Sequence, residues 1–163
     1  MAMSIATLSS GLESMTPVDN ESDAIDNLSS AFEDYFYESS VSGISPQAGA
    51  LASSISSMKS SFSGLSNDAA AAIQAGIIAF WTSAIASAAT IWLTFPFIIS
   101  ATPPPSLSTI AATLNSTFSA NLAAELSLPD AANAVATALH PLQLGGIATL
   151  SPPPPGGTPT PIL

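Results

Sequence analysis

Arginine and cysteine are absent from this chain, and lysine and histidine occur once each, at Lys59 and His140. Without cysteine there is no disulfide and no thiolate metal site. One basic side chain stands against eleven carboxylates, a formal charge of −10. Nucleic-acid binding needs cations to displace phosphate counterions, so a direct DNA or RNA role is close to excluded. Charged residues make up 7% of the chain, where a soluble domain ordinarily has about 25%. Solubility must then rest on Ser, Thr, Asn and the backbone.

The same shortage limits chemistry. His140 has no glycine-flanked serine of the G-x-S-x-G kind to work with, and its place at a helix end suits a ring that serves the last carbonyls. "DNESDAID" at 19–26 begins like a calcium loop, but Ala24 stands where the loop needs Gly and Ser30 where it needs Glu. It reads as a solvated acidic helix start. Glu33 and Asp34 are adjacent and so point different ways on a helix, and no phosphate-cradling glycine pattern occurs. The expectation is a protein with no catalytic residues, no cofactor and no metal site.

Present instead are small polar residues, alanine and a long apolar run. Eight of the eleven carboxylates lie in the first 38 residues. From residue 69 onward only Glu125, Asp130 and a protonated His140 can carry charge. A surface so poor in repulsive charge suits fixed contact with neighbours.

Residues 1–19 are Ser/Thr-rich, without the basic and apolar regions of a signal peptide, and are expected to form a flexible arm. An assembly domain follows over 20–150. Its first helix spans about 21–38, capped by Asn20, with Ile25, Leu28, Phe32 and Tyr35/Phe36 on one face. A second starts at Ser45-Pro46, and its seam of Leu51, Ile55, Met58, Phe62 and Leu65 lies opposite serines. A third, capped at Asn67-Asp68, runs through Ile73, Ile77, Phe80/Trp81 and Ile85. "TIWLTFPFII" reads as an extended buried segment and "ATPPPS" as a stiff turn. A fourth helix begins at Ser106, with Leu107, Ile110, Leu114, Phe118, Leu122 and Leu126 on one stripe. A fifth, capped by Ser127, ends at Pro141. The fold expected is mainly α: about five helices around an extended apolar segment, at most one short strand near 147–150, and extended termini. Residues 151–163 form a proline-rich tail.

"IIAFWTSAIASAATIWLTFPFIIS" (77–100) carries no charge and is long enough to span a bilayer. Its flanks carry no Lys or Arg to set a topology, its first half is amphipathic, and Pro96 splits its second half. Burial in protein is the favoured reading, and a holin-like or pore-forming span over residues 77–95 is the alternative. Phe80, Trp81, Trp92, Phe95 and Phe97 are the large anchors of one core, part of which could face a neighbouring subunit. Pro153 and Pro154 belong to a tail stiff enough to lie across another chain.

The order of an Ala/Ser-rich helix leading into "AFWTSAI", then "FPFIISATPPP", "LAAELSLPDAANAVATALH" and "GGIATL", resembles small structural proteins of tailed bacteriophages over roughly residues 45–150. The acidic aromatic helix at 21–38 and the polyproline end depart from that likeness. The resemblance transfers no site residues. It implies a virion component of the neck, tail or baseplate, with other virion proteins and copies of itself as partners. A secreted helical effector is a third class, disfavoured by the N-terminal sequence.

Overall fold

A computed structural model describes residues 3–15, 18–41, 43–93, 97–151 and 160–163 of the chain. The protein is mainly α-helical, with a small antiparallel sheet. The helices are α1 (Ile5–Glu13), α2 (Glu21–Tyr37), α3 (Ala52–Ser61), α4 (Ala69–Ala86), the single turn α5 (Ala88–Ile91), α6 (Ile110–Ala123) and α7 (Leu128–Leu139). The strands are β1 (Phe97–Thr102), β2 (Gly146–Ser151) and β3 (Thr160–Ile162), in the order β1-β2-β3. Among the described residues seven helices and three strands thus stand where about five helices and at most one strand were expected.

Capping residues set several helix starts. The Asn20 side chain accepts the Asp23 amide at 2.9 Å and Asp68 Oδ1 accepts that of Ala71 at 3.0 Å, each satisfying an amide that the helix itself leaves free. Ser127 Oγ accepts the Asp130 amide at 3.4 Å. The Ser45-Pro46 start is not used: α3 begins at Ala52, after the positive-φ turn at Gly49. Its seam is still inward, with Leu51, Ile55, Met58 and Phe62 buried. Outward serines return their hydroxyls to the helix, as Ser57 does to the Ser53 carbonyl at 2.9 Å.

The centre is aromatic. Phe36 of α2 stacks on Phe80 of α4 with ring centroids 3.6 Å apart and planes 7° from parallel. The Trp81 ring meets both edge-on, at 5.9 Å from Phe36 and 5.5 Å from Phe80. Phe32 bridges to Phe62. Where α3 and α4 cross, Gly76 leaves the space that the Phe62 ring fills.

The stretch expected as an N-terminal arm contains a packed helix. Met3 and Leu8 are buried, and α1 lies on α2 and α7. Gly11 permits this approach, since a Cβ there would stand 2.9 Å from both Cα and Cβ of Ala31. The Glu38 carboxylate joins the start of α1 to the end of α2. It accepts the Ser4 amide at 2.8 Å and the Thr7 hydroxyl at 2.6 Å, a placement the helix dipole favours.

Of the extended segment expected over 90–99, Thr90 and Ile91 instead close helix α5, and Phe97–Ile99 open strand β1, which pairs with β2 with a register shift between Ile98 and Ser100. Ile98 and Leu150 face inward, whereas Ile99, at the irregularity, is 65% exposed. The last residues of the presumed tail return to the domain. Ile162 is buried, Leu163 exchanges backbone hydrogen bonds with Ser40 at 2.6 and 3.0 Å, and β3 is thereby held between β2 and the end of α2. The outer edge of β3 is protected by that pairing.

Candidate interaction surface

The Tyr35 hydroxyl lies 2.9 Å from His140 Nδ1, where α2 meets the end of α7. Burial, with the Glu38 charge adding to it, pushes the Tyr35 phenol well above its ordinary value, and burial holds the His140 imidazole below its own. Both groups therefore stay neutral at pH 7, and the imidazole tautomer sets which of them donates. A general base would instead need a basicity matched to its task and an open path to substrate. Among the described residues no three His, Cys, Asp or Glu side chains gather as metal ligands.

The pair does predict a pH effect. An unfolded chain takes up a proton on His140 near pH 6.5, before the folded chain does. Stability from this pair is complete above about pH 6.5, falls as pH drops through that value, and levels off below the folded-state pKa. His140→Gln keeps a hydrogen-bonding group for the phenol without the titration. Urea midpoints at about pH 7.5 and 5.5 should differ more for the wild type than for this variant. Equal differences would show that His140 adds nothing to acid sensitivity.

Phe80, Trp81 and Trp92, read from the sequence as possible contact residues, are at most 1% exposed within this one chain. They anchor the domain's own core and present no surface. The reason is local: α4 is apolar on most sides, and it takes α3, α6 and the β1 side of the sheet as neighbours. Phe97 opens β1. Phe95, Pro153 and Pro154 lie outside the described residues.

The surface that is apolar lies elsewhere. A groove of about 440 Å³ opens between α1, the start of α4, α6 and α7. Leu12 and Met15 line it from the α1 side, Phe118 from α6, and Leu128 and Val135 from α7, with Leu28, Leu65 and Ile73 deeper in the domain. Among the described residues Asn121 is its one polar lining residue. Beside it the α6–α7 turn carries Leu122, 81% exposed, with Leu126 and Leu128 also exposed. Glu125 takes a positive φ of 50° there, and the Leu126 amide reaches back to the Asn121 carbonyl at 3.2 Å. That closure of α6 turns the chain sharply into α7 and leaves the leucines at the tip.

Sequence periodicity placed Leu122 and Leu126 on one stripe with Leu107, Ile110, Leu114 and Phe118. The first half of the stripe is buried; the second half runs past its partners. The one sequence signal for this was the nearness of the Ser127 cap, which forces the chain to reverse directly after Leu126. Among the described residues the groove lining carries no charged side chain. Leu65 also lines a shallow depression with Asp19 and Glu21. Hydrogen bonding from Ser66 lowers the Glu21 pKa, so that side chain is charged at neutral pH. Lys59, the single basic residue, is paired with Asp26 on the α2–α3 side. No family model, curated protein or solved structure matches this chain.

Proposed function

We infer that this protein is a non-enzymatic structural subunit of a large assembly, acting through subunit–subunit packing. The observation that carries this reading is the apolar groove with three exposed leucines beside it, on a domain with few surface charges. Apolar surface gathered in one place marks contact with another molecule more often than solvent-facing accident. The setting we propose is a tailed-bacteriophage virion, as a neck, tail or baseplate component in contact with other virion proteins and copies of itself. The sequence resemblance over residues 45–150 supports that setting.

A second reading has one specific observation behind it. Helix α4 has 18 residues and a mean hydropathy of 1.6, enough by length and composition to cross a bilayer. A holin-like protein would have to withdraw this helix from its contacts with α3 and α6. The proposed span over residues 77–95 would also have to bridge the break at Ser87, where α4 ends.

Alkaline carbonate extraction of membranes from expressing cells separates the two readings. A packing subunit is released into the supernatant, and retention in the bilayer pellet would refute the assembly role. Quantitative mass spectrometry of purified particles then tests the setting: a fixed copy number per particle supports it, and absence from particles contradicts it.

A further inference from the structure

We propose that copies of this chain exchange their β3 strands, residues 160–163 of one copy filling the slot that β2 and Ser40 with Val41 form in another. The proposal rests on the assembly role above and names a contact through which copies hold one another. What fits the slot is shown by its present occupant, the chain's own β3. Gly146, Ile147 and Ala148 of β2 pair with Ile162, Pro161 and Thr160. On the other side Val41 bridges to Ile162, and Ser40 and Leu163 exchange backbone hydrogen bonds at 2.6 and 3.0 Å. Ile162, with no exposure, is the anchor. Backbone pairing along an edge with a buried side chain to fix the register is how a sheet accepts an added strand. Every copy carries both the slot and the strand that fits it.

Chain reach favours a neighbour's slot. Thr160 lies opposite Ala148, and β2 runs on from Ala148 to Ser151, about 10 Å at the rise of a strand. Residues 152–155 are four consecutive prolines, a sequence that favours a polyproline II rod and adds about 12 Å. A rod continuing the line of β2 would end about 22 Å past the level of Thr160. The five residues from 156 to 160 span at most about 18 Å. A straight rod on that line therefore falls short of its own slot, and proline's fixed φ opposes bending it. Exchange removes the conflict, since an outgoing rod lays its strand in the slot of a second copy. Charge does not stand in the way: residues 146–151 and 160–163 include no Asp, Glu, Lys or Arg. Mutual exchange closes a dimer, and one-way exchange links copies into rings or filaments.

The chain has no cysteine, so introduced thiols report without background. Ile147 and Pro161 are cross-strand partners and both are exposed. Partners of this kind have Cα atoms about 4.5 to 5.5 Å apart, within the range of a disulfide. The full chain carrying both Ile147→Cys and Pro161→Cys is purified, oxidised with glutathione disulfide and run on a non-reducing gel. Exchange predicts covalent dimers or larger species, whereas a strand kept in its own slot closes the chain on itself as a monomer. Separately tagged Ile147→Cys and Pro161→Cys chains, co-expressed, should form the mixed disulfide at least tenfold more than either forms a disulfide with its own kind. Replacing 152–155 with a Gly-Ser repeat of equal length should lower the linked share several-fold, because a flexible connection can return to its own slot. Circular dichroism checks that every variant is folded.

An intrachain link in the double variant, or no link at all, overturns the proposal. So does a single variant that links to its own kind as readily as the mixed pair does, because the contact is then casual collision. Each of these results leaves the assembly role standing on the apolar surface between α1, α6 and α7. Retention in the carbonate-washed bilayer would remove the assembly role itself, so the two failures are distinguishable.

Discussion

Replacing Phe36 with alanine is expected to lower the unfolding free energy by about 3 to 5 kcal/mol, the usual range for removing a fully buried Phe ring. Phe36 has no solvent exposure and is the ring through which α2 meets α4. It stacks on Phe80 at 3.6 Å, takes the edge of Trp81 at 5.9 Å, and contacts Phe32 and Tyr35 of its own helix. Removal empties the middle of this cluster, and rigid helices on either side cannot close the gap completely. Domains commonly have about 5 to 15 kcal/mol to lose, so the variant would stand near its folding threshold. Urea unfolding gives the free energy, and near-ultraviolet circular dichroism reports on Trp81 directly. A loss below about 1 kcal/mol with an unchanged aromatic spectrum would mean that the stack contributes little. Phe118 is the comparison: it is half-buried in the groove wall, so Phe118→Ala should cost less.

The same cluster explains why the aromatic run from Phe80 to Trp92 makes no contact surface. The chain has few large side chains, and the described ones are almost all spent on one core: both tryptophans, Tyr35, Phe32, Phe36, Phe62 and Phe80 are fully buried. What remains for contact is leucine, isoleucine and methionine at the edges of helices. The division is sharp between Trp81, deep in the domain, and Leu122 at the tip of the α6–α7 turn. An interface built from such residues can be strong only where a groove concentrates them, which is the arrangement around Phe118 and Val135.

Much of this fold was legible because its determinants are local. The caps at Asn20, Asp68 and Ser127, and the four- and three-residue steps from Leu51 to Phe62, each act within a turn or two of helix. The missed elements have distant partners. Helix α1 has an ordinary Ser/Thr-rich sequence, and its burial depends on Gly11 meeting Ala31 of another helix. Strand β1 pairs with residues about fifty positions later, as at Ile98 with Leu150, and β3 depends on both β2 and Ser40. Nothing near Thr160–Ile162 in the sequence states that its partners exist. The groove was hidden for the same reason, since its walls come from α1, α6 and α7 together. Its leucines were individually visible on the Leu107-to-Leu126 stripe, but the stripe alone does not say which of them turn inward.

Gly76→Ala should also destabilise the fold, by roughly half as much as the loss of Phe36, although alanine is the better helix former. An exposed Gly-to-Ala change within a helix stabilises by up to about 1 kcal/mol. Here the new methyl group would lie 3.0 Å from Phe62 Cζ and closer still to Cε1 and Cδ1. The ring cannot swing aside freely, because Phe62 has no exposure and packs against Phe32 at 6.2 Å. Either α3 moves away from α4 or the ring leaves its rotamer, and overpacking of this kind costs about 1 to 3 kcal/mol, occasionally more. The steric penalty exceeds the propensity gain, so the expected net result is a loss of about 2 kcal/mol. A double-mutant cycle isolates the cause: Phe62→Leu alone should destabilise by shrinking the core, but combined with Gly76→Ala it should recover part of the loss. Independent, additive effects in that cycle would show that the helix crossing does not depend on this contact. Recovery would establish that a missing side chain on α4 sets how closely α3 can approach, and hence where the serine-covered face of the domain lies.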